Sequence, residues 1–135
     1  MNCPYCNGKS YVNNSRSHNK RQSVWRRRQC KTCKALWTTD EQYDLTTTHL
    51  VKAHDSRPLA PFLRDDLYIS ILESLSHRKT RTADATAVTS TIISKVLARQ
   101  SADIPVSALK DIAHETLQTF DTTAGAVYRD RYNIS

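Results

Sequence analysis

All four cysteines of this 135-residue chain stand in two Cys-x-x-Cys pairs, Cys3 with Cys6 and Cys30 with Cys33. Each pair can form a tight turn that presents two thiolates to one metal ion, and two such turns complete a tetrahedral site. A site closed by four protein ligands is structural, because it leaves no position for a substrate. Paired motifs at this spacing are typical of zinc ribbons, so we predict that Zn²⁺ is a structural cofactor.

Two disulfides, or unpaired thiols, are the alternative. Disulfides persist mainly in oxidising compartments, and no apolar secretory segment follows Met1. No apolar run approaches the roughly 20 residues that a membrane-spanning helix requires. We therefore favour zinc over disulfides, and we expect a soluble, cytoplasmic protein that does not bind membranes.

The positive charge of the chain is concentrated before Asp40. The formal net charge is +7, and nine of the 20 Lys and Arg residues precede Asp40 with no acidic residue among them. We place a domain boundary here, with a zinc ribbon at residues 1–44 and a second domain at residues 45–135. A small unit with so much positive charge is expected to bind a polyanion.

Three consecutive arginines, Arg26, Arg27 and Arg28, lie just before Cys30, so a bound metal would fix the end of the strand that carries them. Alternation along a strand places Arg26 and Arg28 on one face and Arg27 on the other. Further basic residues extend the patch: Arg16, Lys20, Arg21, Lys31 and Lys34. Since no carboxylate precedes Asp40, we predict contacts to nucleic-acid phosphates rather than a merely solvated surface.

Three aromatic residues, Tyr11, Trp25 and Trp37, are interleaved with these basic residues. We expect them to form the core of the ribbon, because so small a unit has few other large apolar side chains to bury. Stacking on nucleic-acid bases is the alternative role.

The second domain is predicted to be mostly helical. A β-branched run at residues 46–52 predicts one strand, which could form the edge of a hairpin, and a turn follows at residues 53–56. Helical spacing of apolar residues then predicts helices over residues 64–75, 88–97 and 105–120, with a last short helix at 123–129 weakened by Gly125. The expected fold class is α+β, a small antiparallel zinc-bound sheet followed by a helical domain with a short β-hairpin.

No pattern in the chain indicates catalysis. The five histidines have no mutual spacing typical of a metal or catalytic cluster, and the two glycines are too few for a phosphate-binding loop. Asp65 and Asp66 form a carboxylate pair, but the start of a helix explains both. We therefore predict that the protein is not an enzyme.

Several motifs together resemble the NrdR family of ribonucleotide reductase repressors. They are the opening CPYC, the pair Ser15 and Arg16, the run WRRRQC, the second CxxC and the LWTTDE that follows it. The resemblance covers nearly the whole chain. It implies a zinc ribbon followed by an ATP-cone, a small helical domain that binds ATP or dATP and sets the oligomeric state. It also implies a prokaryotic or phage-encoded, nucleoid-associated repressor that binds double-stranded promoter DNA as a homo-oligomer.

The resemblance also assigns residues to two sites. The residues expected to bind DNA are Arg16, Arg26, Arg27 and Arg28, together with the nearby Lys20 and Arg21. The residues expected to bind nucleotide are Val51, Lys52, Arg57, Phe62 and Tyr128. For Lys52 the expected contact is with phosphate, to which a cation is suited.

The chain departs from the ATP-cone pattern at some positions, and these departures support an alternative. Asp66 stands where the family has a lysine, and the segment before Val127 and Tyr128 is shortened. The alternative is a ribbon that binds nucleic acid, joined to a degenerate cone that serves only protein interaction or oligomerisation.

Overall fold

The computed structural model describes residues 1–52 and 59–135, and the chain forms two compact units, Met1–Tyr43 and Asp44–Ser135. Arg57 and the turn predicted at residues 53–56 lie outside the described residues.

The first unit is a three-stranded antiparallel sheet in the order β1-β2-β3. Its strands are β1 (Ser10–His18), β2 (Ser23–Cys30) and β3 (Leu36–Glu41). Very little of the unit is buried: Cys3, Ser23 and Cys30 are its only fully buried residues. Because its core is so small, the sheet depends on the cysteine site for stability, as is expected of small metal-binding domains.

The second unit combines a small sheet with a helical layer. Its helices are α1 (Leu45–Thr48), α2 (Arg64–Ser74), α3 (Arg81–Ala98), α4 (Val106–Phe120) and α5 (Thr122–Tyr132). Its strands are β4 (Leu50–Lys52), β5 (Ala60–Pro61) and β6 (Asp103–Pro105), in the order β5-β4-β6. The β4–β5 pair is antiparallel and the β4–β6 pair is parallel.

The core of the second unit is formed by the inward faces of the four longer helices and by Ile104 of β6. Its fully enclosed side chains include Ile71, Leu75, Ile92, Val96, Ile104 and Leu117. This agrees with the α+β fold class predicted from the sequence: an antiparallel sheet bearing four cysteines, then a mostly helical region.

The strand predicted over residues 46–52 is wrong in its first half. Residues 46–48 belong to helix α1, because the Asp44 carboxylate accepts a hydrogen bond from the Thr46 amide at 3.1 Å and caps the helix. Only Leu50–Lys52 forms a strand. It is the central strand of its sheet rather than an edge, because β5 pairs with one side of it and β6, which was not predicted, pairs with the other.

Helix α5 extends further than predicted, to Tyr132, with Asp121 as its N-cap. Gly125 has a packing role: a Cβ here would lie 2.7 Å from the backbone Cα of Gln118, so the glycine lets α5 approach α4 closely.

Within the described residues, no helix combines the length and apolar character needed to cross a membrane.

Candidate metal centre and nucleic-acid interface

The four cysteine sulfurs converge on one point. All four Sγ atoms lie within 4.8 Å of one another, with Cys3 to Cys33 at 3.7 Å and Cys6 to Cys30 at 3.5 Å. Four thiolates around a zinc ion with Zn–S bonds of about 2.3 Å would be about 3.8 Å apart, whereas disulfide sulfurs are about 2 Å apart. The arrangement therefore fits a tetrahedral metal site and not two disulfides.

The two metal-binding turns have the same backbone design. The Cys3 amide donates to the Gly8 carbonyl at 2.8 Å, and the Cys30 amide donates to the Ala35 carbonyl at 3.0 Å, so each turn is closed by a hydrogen bond between the first and last of six residues. The residue after each second cysteine, Asn7 or Lys34, has a left-handed backbone with φ of 59° or 62°. Because the two turns share this backbone conformation, each directs its two thiols towards the common site.

Backbone amides also point at the sulfurs. The Tyr5 amide donates to Cys3 Sγ at 3.4 Å, and the amides of Thr32 and Cys33 donate to Cys30 Sγ at 3.3 and 3.4 Å. Burial raises the pKa of Cys30, but these hydrogen bonds outweigh it and lower the pKa to about 6. Amides that stabilise a thiolate suit a metal ligand, because the ligand form of cysteine is deprotonated.

Cys33 has the opposite tendency when no metal is bound. The Ala35 amide lowers its pKa, but hydrogen bonding to the neighbouring sulfurs, Cys6 foremost, raises it to about 12. A divalent cation would displace the Cys33 proton on binding, because the ligand form of cysteine is deprotonated.

The sheet presents two different faces, because residues directly opposite one another on antiparallel strands share a face. On one face, Arg26 lies opposite Ser15 and Thr39, and Arg28 lies opposite Val12 and Trp37. On the other face, Arg27 lies opposite Asn14 and Thr38. The predicted alternation of the three arginines is therefore present in the structure.

The face that carries Arg26 and Arg28 has its guanidiniums engaged, and we refer to it as the partnered face. Arg26 pairs with Glu41 at 2.9 Å, and Arg28 Nε donates to Thr39 Oγ1 at 3.3 Å. The expectation that no carboxylate neutralises the basic patch is wrong for Arg26, because strand β3 brings Glu41 diagonally across from it.

The opposite face, which we refer to as the open face, is more exposed. Arg16 and Arg27 are exposed, as are Asn14 and Thr38. The full set of open-face residues is Tyr11, Asn14, Arg16, His18, Ser23, Trp25, Arg27, Gln29, Leu36, Thr38 and Asp40. Lys20 and Arg21 lie beyond the strands, exposed in the turn that joins β1 to β2. The six predicted DNA-binding residues thus occupy two faces and a hairpin end.

The aromatic residues do not form an enclosed core in this unit. Tyr11 is 43% exposed and donates its hydroxyl hydrogen bond to Gln29, while Trp25 and Trp37 are half-buried on opposite faces. The expected aromatic core is wrong for Tyr11, because a single sheet layer covers each side chain on one side only.

Known proteins resemble this chain across both units. Residues 1–41 match the family model of the "Transcriptional repressor NrdR-like, N-terminal domain", a zinc ribbon. The chain is 33% identical to the "Transcriptional repressor NrdR" of Acidiphilium cryptum (strain JF-5), over 96% of this chain and 88% of that protein. It is 29% identical to the protein of the same name from Rhodopirellula baltica (strain DSM 10527 / NCIMB 13988 / SH1), over 96% of this chain and 85% of that one.

The chain belongs to the NrdR family. The resemblance predicted from the motifs is therefore confirmed, and the match of residues 1–41 to a zinc ribbon agrees with the convergence of the four cysteines. Both relatives are named as transcriptional repressors, a non-enzymatic role, which confirms the prediction that this NrdR-family protein is not an enzyme.

In the described part of the second unit of this NrdR-family chain, predicted nucleotide-binding residues line two neighbouring cavities. Val51, Phe62 and Tyr128, three of the predicted nucleotide-binding residues, line a cavity of 370 Å³. Lys52 instead lines a cavity of 590 Å³, together with Ser107 of helix α4. The four predicted residues that the structure describes are therefore brought near one another but divided between two cavities, and Arg57 lies outside the described residues.

Sequence analysis missed three residues that line both cavities, Val106, Lys110 and Tyr132. Lys110 Nζ donates to the Tyr132 carbonyl at 3.4 Å and lies 5.7 Å from the centre of the Tyr132 ring. Only the parallel pairing of β4 with β6 brings the start of α4 beside Lys52, and no local pattern indicates that pairing.

One side of the smaller cavity is acidic and tightly packed. Asp66 lines it, and Tyr128 is only 3% exposed, with its ring 4.5 Å from that of Tyr132. Burial, with a smaller contribution from Tyr132, raises the pKa of Tyr128 to about 12, so its hydroxyl stays protonated.

Proposed function

We propose that this protein is a zinc-dependent, DNA-binding transcriptional repressor of the NrdR type that controls ribonucleotide reductase genes. The observation that carries the proposal is the set of exposed cations on a sheet whose end is organised by four cysteines. Its place of action is promoter DNA in a prokaryotic cytoplasm.

The DNA contacts are assigned to six basic residues: Arg16, Lys20, Arg21, Arg26, Arg27 and Arg28. Each phosphate that such a residue neutralises adds about −0.9 to the slope of log affinity against log salt concentration. Zinc acts as a scaffold: it holds the cysteine turns and thereby the end of β2, and it takes no part in a reaction.

DNA binding is tested by fluorescence anisotropy with the zinc-loaded full chain, across salt concentrations and with promoter and scrambled duplexes. A double change, Lys20→Ala with Arg21→Ala, alters only an exposed turn, so it should reduce the salt slope by roughly 2 while leaving the fold intact. Equal affinity for all duplexes would count against a repressor.

We also propose that the second unit binds ATP or dATP and that the nucleotide sets the state of a homo-oligomer. The assigned residues are Val51, Lys52, Arg57, Phe62 and Tyr128, with Lys110 added from the structure. The cavity lining supports this, since apolar and aromatic side chains suit a base and the lysines beside them suit phosphates.

Isothermal titration calorimetry with ATP and dATP tests nucleotide binding directly. Lys52→Ala and Lys110→Met should each weaken binding by about tenfold or more, since a charge-assisted hydrogen bond contributes about 1.5–3 kcal/mol. Lys79→Met is the matched control, because Lys79 is exposed and lines neither cavity. Native mass spectrometry would report metal, nucleotide and subunit number together.

A second candidate is a degenerate cone that serves only oligomerisation or protein interaction. Asp66 favours it, because a carboxylate in the lining of the smaller cavity opposes a phosphate. If neither nucleotide produces heat and the subunit number does not respond to them, this candidate replaces nucleotide sensing without affecting the DNA-binding proposal.

A further inference from the structure

The open face of the ribbon carries a row of polar side chains that includes an amide and a hydroxyl beside the arginines, whereas a phosphate-binding patch needs only cations. Asn14, Arg27 and Thr38 lie directly opposite one another across the three strands, and Arg16 lies diagonally from Arg27. All four are exposed. Within residues 1–52 and 59–135, the side chains of Asn14, Arg16 and Arg27 have no hydrogen bond or ion pair.

A β-bulge creates this arrangement. The β1–β2 register shifts between Val12 and Asn14, so that Val12 lies opposite Arg28 while Asn14 lies opposite Arg27. The extra residue, Asn13, reverses the alternation of β1 and brings Asn14 and Arg16 onto the face of Arg27. Bulges re-aim side chains in this way and are frequent beside functional sites.

On the partnered face, by contrast, the arginine side chains have an ion-pair or hydrogen-bond partner. The Arg26 side chain is 32% exposed and holds Glu41 at 2.9 Å, and its Nε is buried without a hydrogen bond among the described residues. Arg28 is half-buried, and its Nε donates a hydrogen bond to Thr39 Oγ1. These two guanidiniums hold β2 against β3, whereas Arg27 and Arg16 are available to a ligand.

We propose that the open face reads base edges in the major groove of duplex DNA, with Arg16, Arg27 and Asn14 as the specificity-determining residues. This inference rests on the proposed function. Arg forms bidentate hydrogen bonds to guanine O6 and N7, and Asn forms them to adenine N6 and N7. Arg26 and Arg28, on the partnered face, make no base contacts and are assigned contacts to the phosphate backbone only.

The dimensions and charge of the sheet suit this groove. The major groove is about 12 Å wide and admits a two-stranded β-ribbon, and strands in a sheet are about 4.8 Å apart. The β1–β2 hairpin also carries Lys20 and Arg21 at its end, where they can contact the phosphate backbone while the open face meets the bases. Asp40, on the same face, lies at the end of the sheet furthest from the cysteines.

The test is selection of preferred duplexes from a random pool with the zinc-loaded full chain, for the wild type and for single variants. Arg27→Lys and Asn14→Ala should each relax the preference at one or two base pairs, lowering discrimination there by about tenfold or more. The lysine variant keeps the charge, so its affinity for scrambled DNA should change little.

Ser15→Ala, on the partnered face opposite Arg26, is the matched control and should leave the selected sequence unchanged. Replacing a preferred guanine by 7-deazaguanine removes only the major-groove N7 acceptor, and this should weaken binding by the wild type more than binding by Arg27→Lys. Zinc content and circular dichroism confirm that each variant is folded.

The outcomes separate the two proposals. If the wild type selects a sequence and Arg27→Lys and Asn14→Ala select the same one with equal discrimination, the open-face assignment is wrong and DNA binding stands. If 7-deazaguanine has no effect, the assigned contact of Arg27 with guanine is wrong. If the wild type selects nothing over scrambled DNA, the repressor proposal fails as well.

Discussion

At the scale of single residues, the cysteines were the most predictable part of the molecule and the open face was the least. The four ligands follow from two short motifs, because each turn is formed locally by six residues. The row formed by Asn14, Arg27 and Thr38 depends on a one-residue bulge, and simple alternation from Tyr11 onward places Asn14 on the wrong face. Sequence analysis therefore identified Arg27 as a DNA-binding residue and did not identify its neighbour Asn14.

Gly8 provides a residue-scale test of the metal site. A Cβ at this position would lie 2.7 Å from Thr32 Oγ1 and 3.2 Å from Cys6 Sγ, so Gly8→Ala must displace one turn against the other. We expect this variant to lose zinc to a competing chelator more readily than the wild type.

Gly125→Ala is the control for that experiment, since these are the two glycines of the chain. Its Cβ would meet the backbone of helix α4, so we expect a loss of stability of about 1–3 kcal/mol in the helical unit with unchanged zinc retention. Equal zinc retention by Gly8→Ala and the wild type would contradict the packing described at Gly8.

At the scale of elements, the longer helices were predicted from the sequence, whereas the short helix α1 and the short strand β6 were not. Helices α2, α3 and α4 have sustained apolar spacing, whereas α1 has only Asp44 to mark its start, and three threonines favour a strand there. Strand β6 is three residues long and becomes visible only through its parallel pairing with β4. Short elements are determined by tertiary contacts that a local pattern does not contain.

Asp121, the N-cap of α5, connects helix capping to acid stability. Its carboxylate accepts hydrogen bonds from the Ala124 amide at 3.0 Å and from Arg78 at 3.0 Å, and it lies 3.1 Å from His77 Nε2. The Ala124 amide foremost, then His77 and Arg78, lower the pKa of Asp121 from 3.8 to about 2. A lowered folded-state pKa contributes stability that is complete above about pH 4 and is lost as the pH falls towards 2.

Asp121→Asn should remove this contribution while retaining the cap, because asparagine caps helices as well as aspartate does. We expect the variant to be less stable than the wild type at pH 7, with a smaller loss of stability between pH 4 and pH 2. Chemical denaturation followed by helical circular dichroism measures this. Asp130→Asn, at a position whose side chain is 78% exposed, should behave as the wild type, and an identical pH profile for Asp121→Asn would contradict the assignment.

At the scale of the whole molecule, the two units should respond differently to loss of metal. The first unit has almost no buried apolar side chains and both tryptophans, while the second has its own core and the longer helices. A strong zinc chelator should therefore shift tryptophan fluorescence towards that of an unfolded chain and leave most of the helical circular dichroism unchanged. Unchanged fluorescence after zinc removal would show that the sheet does not need the metal.

The central claim is that a metal-organised sheet binds DNA, and one titration tests it most directly. Anisotropy of a labelled promoter duplex is measured with the full chain as zinc-loaded protein, after chelation, and after zinc is restored. The account predicts tight, strongly salt-dependent binding that is lost on chelation and recovered with zinc. Binding of equal affinity and equal salt dependence by the chelated protein would contradict it.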